Sequence, residues 1–209
     1  MRTTSVGDAR GNNGRRLEKW LWINLWLAFL FAVDANAGLP ETPQLRQLTV
    51  ADGLPSNIIY KIAQDQNGFL WLATADGLVR YDGTGFRVWQ LGEGLRENEV
   101  TWVEVDADNQ VWVGTLGAGV ALLDEKREQF RYFDKQSASG LDDDDILSVL
   151  PTEDGAVWIG PVDAGLRRMD RSGRITRFVP QPGNVRSLPG KSVTSLQHGP
   201  DGGLWVGTD

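Results

Sequence analysis

The sequence predicts an all-β protein in which one structural unit is repeated along the chain, and three observations support this prediction. The 209 residues include 25 glycines and 9 tryptophans, a composition that favours short strands and tight turns over long helices. Tryptophan recurs at intervals of 41, 46 and 47 residues, at Trp71, Trp112, Trp158 and Trp205. The surrounding segments are similar in all four places: NGFLWLATADGL, DNQVWVGTLGAGV, DGAVWIGPVDAGL and DGGLWVGTD.

The first element of each unit is an apolar strand that ends before the tryptophan segment. Apolar residues stand twelve and nine positions before each tryptophan, as Ile59 and Ile62, Val100 and Val103, Ile146 and Val149, and Val193 and Leu196. A turn pair follows, three to four positions before the tryptophan: Asn67-Gly68, Asp108-Asn109, Asp154-Gly155 and Asp201-Gly202. Such pairs tolerate the left-handed backbone of a tight hairpin, so the tryptophan lies on the second strand.

The third and fourth strands come after the tryptophan. A glycine and an apolar residue begin the third strand, at Gly77-Leu78, Gly119-Val120 and Gly165-Leu166. The fourth strand is predicted in the segments FRVWQL (86–91), FRYFD (130–134) and ITRFV (175–179). Each unit therefore contains four strands joined by turns.

Four-stranded units of this length are typical of the blades of a β-propeller, which stand radially around a central axis. Parallel β-helices have shorter coils, and β-sandwiches do not repeat their sequence so regularly. The sequence predicts complete blades at about 57–91, 98–134 and 145–180 and an incomplete blade at 191–209, within a partial ring of the seven blades expected in the full protein. The repeated tryptophans are predicted to fill the wedge between neighbouring blades rather than to contact a ligand.

The segments that precede the first blade have two other predicted roles. Residues 44–50 align with a fourth strand, and we expect them to form an outer strand that closes the last blade of the ring. Residues 1–37 combine basic residues, the apolar run WLWINLWLAFLFAV (20–33) and small residues before Gly38, which predicts a signal peptide cleaved after Ala37. An uncleaved anchor is the alternative, but a helix of about 14 residues spans only about 21 Å of a ~30 Å hydrocarbon core.

Charge and composition exclude several classes of function. The net charge of −7 argues against binding nucleic acid through its phosphates. The chain has no cysteine and one histidine, so thiolate sites and histidine clusters for a metal are excluded. The acidic run Asp142–Asp145 is predicted to be a solvated loop, because consecutive carboxylates cannot all face one calcium ion. We predict no metal, no cofactor and no catalytic residue; acidic pairs such as Glu104 and Asp106 occur on any exposed strand.

A binding surface is the more favourable hypothesis. In propellers, the loops that enter the first strand and those that join the second and third strands cluster on one face around the axis. The candidate ligand-binding residues are Asn57, Lys61, Arg96, Asn98 and Trp102. Trp102 is notable because the other units carry Lys61, Ser148 and Ser195 at its position, so the repeat does not require it. It either fills a gap or, if it faces the channel, stacks on a sugar ring or an apolar ligand.

The segments LTVADGLPSNIIYKIAQDQNGFLWLATADGLVRYDG (48–83) and DNQVWVGTLGAGVALLD (108–124) resemble the two-component regulator propeller repeat. The resemblance implies the periplasmic sensor region of a bacterial membrane signalling protein, with a signal peptide, seven-bladed propellers, a transmembrane helix and a histidine kinase or diguanylate cyclase output. Pro161 after WIG, and Glu97-Asn98-Glu99 at the opening of a strand, depart from the repeat.

We therefore expect the N-terminal, periplasmic, ligand-sensing part of a longer polypeptide that is anchored in the inner membrane and dimeric. Its partner would be an unidentified extracytoplasmic ligand, such as an oligosaccharide, or a partner protein. Two alternatives remain open, a secreted propeller enzyme that acts on glycans and a stand-alone interaction scaffold.

Overall fold

The computed structural model describes residues 45–124, 126–137 and 139–209. The signal peptide predicted at 1–37 and its cleavage between Ala37 and Gly38 lie outside these residues. The chain divides into the units Met1–Arg46 and Gln47–Asp209, and the second unit contains every strand described below. Within the described ranges, no helix combines the length and the apolar character needed to cross a bilayer.

Fourteen antiparallel strands follow one another in four sheets, each arranged in chain order. Blade 1 contains β1 Ile59–Gln64, β2 Leu70–Thr74, β3 Gly77–Tyr81 and β4 Phe86–Trp89. Blade 2 contains β5 Val100–Val105, β6 Val111–Thr115, β7 Val120–Leu123 and β8 Phe130–Phe133. Blade 3 contains β9 Ile146–Pro151, β10 Val157–Pro161, β11 Leu166–Met169 and β12 Ile175–Phe178. Blade 4 contains β13 Val193–His198 and β14 Leu204–Thr208.

The predicted all-β class and the four-stranded blades are confirmed, and every strand falls within the predicted blade ranges. The outer strand predicted at 44–50 would pair with the last blade of the ring, and it stays a prediction. Residues 45–49 pair with no described strand, and Val50–Asp52 form a 3-10 helix. Thr49 caps this helix through a reciprocal pair of hydrogen bonds with Asp52. A strand needs a partner strand, and the described sheets contain no pairing with this segment.

An irregularity in the first strand of each blade explains why its apolar residues are three positions apart. Apolar residues three positions apart, such as Val100 and Val103, would point to opposite faces of a regular strand. In each blade, the pairing of the first two strands shifts by one residue between these positions, as it does between Val100 and Trp102. The bulge brings both apolar residues to one side. Val100 and Val103 are fully buried in the same core cluster as Trp71 of blade 1.

The hydrophobic core consists of separate clusters between successive blades. Trp71 stacks on Trp89 with ring centroids 5.3 Å apart and packs against blade 2. Trp112 stacks on Phe133 at 5.8 Å and packs against blade 3. By contrast, Trp205 is 66% exposed, because no described strand packs on that face of blade 4. Burial of these tryptophans therefore depends on the presence of the next blade.

Two aspartates that the sequence analysis did not single out fix the tryptophans of blades 1 and 2. The indole N–H of Trp71 donates to Asp65 at 2.9 Å, and that of Trp112 donates to Asp106 at 2.8 Å. The second oxygen of each carboxylate accepts backbone N–H groups of the hairpin turn. Each carboxylate thus joins the turn to the core tryptophan. Their signal in the sequence is an aspartate six positions before the tryptophan, present in only two of the four units.

The close approach of neighbouring blades gives a testable prediction at Gly160. A Cβ atom at this position would lie 2.6 Å from the backbone oxygen of Val193 in blade 4. Because that oxygen belongs to a packed strand, we expect Gly160→Ala to lower the free energy of unfolding by about 1–3 kcal/mol. The measurement is the urea midpoint of the chain. Gly85→Ala, where a Cβ meets nothing within 4 Å, is the matched control, and equal midpoints for the two variants would contradict this packing.

Candidate functional site

Three polar or aromatic side chains on the first strands of blades 1 and 2 form one cluster. These first strands, β1, β5, β9 and β13, contact one another in succession and are called the inner strands. Lys61 lies on β1, and Trp102 and Glu104 lie on β5. The Lys61 ammonium nitrogen is 4.4 Å from the centroid of the Trp102 ring and 3.6 Å from a carboxylate oxygen of Glu104. We call these three residues the inner-strand cluster.

The inner-strand cluster is partly screened from solvent. The side chains of Lys61 and Glu104 are 28% and 27% exposed. Burial raises the pKa of Glu104 above its usual value, although Lys61, the Trp102 indole and His198 of β13 oppose this rise. The indole N–H of Trp102 lies near Glu104 and lowers its pKa as a hydrogen-bond donor, although it falls short of full hydrogen-bonding geometry with any described residue. The cluster therefore contains a partly compensated carboxylate and an incompletely satisfied donor.

The ring of Trp102 is not an open platform. Lys61 covers it from blade 1, and the ring also packs against the core cluster between blades 2 and 3. A ligand could stack on this ring only after Lys61 has moved. The structure therefore brings Lys61 and Trp102 together, but the stacking role predicted for Trp102 remains a prediction.

Asn57 and Asn98 occupy equivalent places in the loops that enter blades 1 and 2. The side-chain oxygen of Asn57 accepts the backbone N–H of Val50 at 3.0 Å, and that of Asn98 accepts the backbone N–H of Leu91 at 2.7 Å. The Asn98 amide also donates to Asp76. Both side chains hold their loops in shape, which explains their presence without a ligand. Their contact with a ligand stays a prediction.

Arg96 is directed to the outer part of blade 2. Its guanidinium pairs with Asp134 at 2.8 Å and lies over the ring of Tyr132, 4.3 Å from the centroid. Tyr132 belongs to β8, the outermost strand of its sheet. Arg96 therefore attaches the entering loop to the next blade, and the inner-strand cluster is formed without it.

The acidic run 142–145 makes its contacts within the protein. Asp142 accepts two hydrogen bonds of 2.9 Å from the buried Arg167 and one of 3.0 Å from Arg177, and these arginines hold its pKa below the usual value. Asp143 pairs with Lys135 at 3.7 Å. The loop is thus ordered by cations of blades 2 and 3. Among the described residues, no group of three or more histidine, cysteine, aspartate or glutamate residues is arranged to hold a metal ion.

Glu104 is the functional candidate that sequence reasoning undervalued. From the sequence alone, it is one member of a pair of carboxylates of the kind that occurs on any exposed strand. A signal did exist, because eight positions before the tryptophan the other units carry Ala63, Leu150 and Gln197. A charged residue there is a departure from the repeat, like Lys61 and Trp102.

Comparison with known proteins identifies the repeat. The sequence model described as two component regulator propeller matches residues 53–76, 94–117 and 187–209. These three segments are therefore similar to repeats of this family, as the resemblance predicted. Each matched segment covers an entering loop, an inner strand and the tryptophan strand. Blade 3, which contains Pro161, is outside the matched segments. No curated protein sequence shows significant similarity to the chain.

Solved structures share the fold. The extracellular domain named as that of a hybrid two component system from B. thetaiotaomicron matches with a TM-score of 0.66 and 24% identity, over 79% of this chain and 24% of that one. Virginiamycin B lyase from Staphylococcus aureus matches with a TM-score of 0.56 and 15% identity, over 74% and 50%. PorZ, a surface component of the type-IX secretion system of Porphyromonas gingivalis, matches with a TM-score of 0.55 and 13% identity, over 71% and 23%. This chain thus spans about a quarter of the first of these proteins.

The raised pKa of Glu104 predicts how stability depends on pH. A carboxyl with a raised pKa binds its proton more tightly in the folded state, so its stabilising contribution is complete below the usual value of 4.5 and is lost as the pH rises through the folded pKa. Glu104→Gln does not titrate. We therefore expect the free energy of unfolding of the wild type, relative to this variant, to fall as the pH rises above the usual value of 4.5.

Urea unfolding of both proteins at several pH values measures this difference. Glu93→Gln, at an exposed loop carboxyl, controls for the loss of one negative charge. A wild-type to Glu104→Gln difference that stays constant as the pH rises would show that burial does not govern the Glu104 carboxyl.

Proposed function

We propose that this chain is the propeller part of an extracytoplasmic sensor in a bacterial membrane signalling protein. It binds a small ligand at the inner-strand cluster and catalyses no reaction within these residues. An output domain elsewhere in the full-length protein, of the histidine kinase or diguanylate cyclase type, would report the binding across the inner membrane. The three matched repeats of the two component regulator propeller support this assignment.

The proposal rests on three residues of the inner strands that depart from the repeat. Positions that pack between blades carry similar residues in each blade, because each blade must pack on the next. The inner-strand cluster is different, since Lys61, Trp102 and Glu104 are unlike the residues at the equivalent positions of the other blades. The three side chains contact one another and remain partly exposed on the inner strands. Departures from a repeat that converge in space and are reachable by solvent are typical of a ligand site on a scaffold.

The compared structures support an exported sensor, but they do not set the ligand. The B. thetaiotaomicron domain is extracellular and is named for a two component system, whereas the other two neighbours are a lyase and a secretion-system component. One propeller fold therefore serves several functions, and the ligand must be argued from the site. We also propose that the full-length protein is anchored in the inner membrane and is dimeric.

The complete reading frame tests whether the protein signals across the membrane. We expect it to encode further blades, a transmembrane segment and a kinase or cyclase domain. A frame that ends in a stop codon directly after a closed ring would overturn signalling across the membrane and would favour a secreted enzyme or scaffold.

The binding half predicts that a ligand stabilises the folded chain. A screen of soluble oligosaccharides, amines and short peptides by thermal unfolding should give hits, since a ligand at about 100 times its Kd stabilises the folded state by about 2.7 kcal/mol. Each hit should lose its effect in Trp102→Ala and Glu104→Gln and keep it in Lys191→Ala, an exposed surface control. Hits that are indifferent to Trp102 and Glu104 would place binding elsewhere.

A further inference from the structure

The inner-strand cluster surrounds a single positive charge with an aromatic ring and a carboxylate. The Lys61 ammonium lies 4.4 Å from the centroid of the Trp102 ring and 3.6 Å from Glu104. An indole face attracts a cation through its quadrupole, and a nearby carboxylate adds direct charge attraction. Proteins recognise organic ammonium ligands by this combination. In this chain the cation is supplied by the protein itself.

The blade architecture does not require any of the three side chains. At the position of Lys61 and Trp102, blades 3 and 4 carry Ser148 and Ser195. Ser148 donates its hydroxyl to the backbone oxygen of Val193 in the next inner strand at 3.0 Å. In blade 2, the neighbouring Thr101 makes the equivalent bond, to the backbone oxygen of Ile146. The hydrogen bonds between inner strands are therefore made without Trp102, whose ring packs on the core between blades 2 and 3 with one face and meets Lys61 with the rest.

We propose that Trp102 and Glu104 form a binding site for a small organic ammonium ion, and that Lys61 occupies this site as a tethered competitor in the absence of ligand. This names the ligand class of the proposed sensor site, so it rests on the proposed function. The ligand enters by displacing the Lys61 ammonium, which moves into solvent on its flexible four-carbon stem.

The contacts of Lys61 are weak enough for displacement. Charge-assisted hydrogen bonds between nitrogen and oxygen are typically about 2.7–2.9 Å long, whereas Lys61 and Glu104 are separated by 3.6 Å. Glu104 also remains poorly compensated, since burial raises its pKa in spite of Lys61. His198 of β13 lowers the pKa of Glu104 by charge attraction. However, its ring nitrogen is hydrogen-bonded to the backbone oxygen of Pro151 at 3.0 Å. A ligand ammonium that approaches Glu104 more closely would gain attraction that Lys61 does not provide.

The incompletely satisfied indole N–H of Trp102 indicates what accompanies the ammonium group. A buried donor without a full hydrogen bond costs free energy, and a ligand acceptor that reaches it recovers this cost. An ammonium ligand with a neighbouring hydroxyl, as in an amino alcohol or an amino sugar, supplies both groups. Ligands of this kind should bind more tightly than plain alkylammonium ions.

The first experiment removes the tethered competitor. Lys61→Ala deletes a chain that n-propylammonium can replace, so this ion should raise the thermal stability of the variant in a saturable manner. It should bind the wild type about tenfold or more weakly, because the tethered Lys61 competes at a high effective concentration. The neutral 1-propanol should have no such effect, and Lys61→Ala combined with Glu104→Gln should lose the response. Equal affinity for wild type and Lys61→Ala, or no saturable binding to Lys61→Ala, would overturn the proposal.

The second experiment uses the wild-type chain and needs no variant to fold. Trimethylammonium, a protonated tertiary amine, forms no stable amide, yet it offers a cation to the ring and one N–H donor to the carboxylate. If it displaces Lys61, the rate at which an acylating reagent modifies Lys61 should rise about threefold or more relative to the exposed Lys191, since its ammonium is released into water. Peptide mass spectrometry measures both rates. A Lys61 to Lys191 ratio that trimethylammonium leaves unchanged would overturn the role of Lys61 as a displaceable occupant.

The outcomes separate this inference from the proposed function. Loss of the ammonium response, together with oligosaccharide or peptide hits that depend on Trp102 and Glu104, would overturn the ligand class and leave the sensor site standing. An ammonium response in a protein whose complete reading frame ends after the ring would keep the site and overturn signalling across the membrane. If neither the ammonium experiments nor the thermal-unfolding screen showed binding, the ammonium ligand class and the proposed binding site at the inner-strand cluster would both be overturned.

Discussion

The structure depends on one constraint, which is that each blade can bury its tryptophan face only against the inner strand of the next blade. Two features of the sequence meet this constraint together. The bulge in each inner strand turns two apolar residues toward the preceding blade, and a small residue two positions after the tryptophan lets the strands approach. Where no described blade follows, Trp205 is largely exposed, although its local sequence is the same. The unit of stability is therefore the contact between blades rather than the single sheet.

This constraint separates the residues that the fold requires from those available for function. A position that packs between blades must agree in every repeat, because each contact solves the same packing problem. Residues that disagree are released from that requirement and can serve another role. Lys61, Trp102 and Glu104 disagree at two neighbouring places on the inner strands and contact one another. Arg96 also disagrees with its equivalents, but its ion pair with Asp134 gives it a structural role, so disagreement alone does not make a functional site.

The sequence predicted the strands, their order and the blade ranges because turn chemistry and apolar spacing repeat four times, which suppresses chance matches. It could not assign Asn57 and Asn98, since an exposed asparagine near a loop looks the same whether it bonds a ligand or the backbone seven residues away. Nor could it join Glu104 to Lys61, because residues 43 positions apart meet only after two blades have packed. The expected outer strand at 44–50 has a strand-like pattern, yet pairing depends on a partner that the pattern does not contain.

A tethered occupant changes what a sensor site can do. An empty site responds to ligand concentrations near its intrinsic Kd, whereas a site filled by Lys61 responds only at higher concentrations, because the ligand competes with the tethered ammonium. The tether also crosses a junction, because Lys61 belongs to β1 of blade 1 while its partners belong to β5 of blade 2. Exchange of Lys61 for a free ammonium ion therefore removes a contact between two blades and leaves each blade intact. Ligand binding at such a contact transmits a signal only if its free energy differs between two arrangements of the blades, and a contact that joins two blades is a place where that condition can be met.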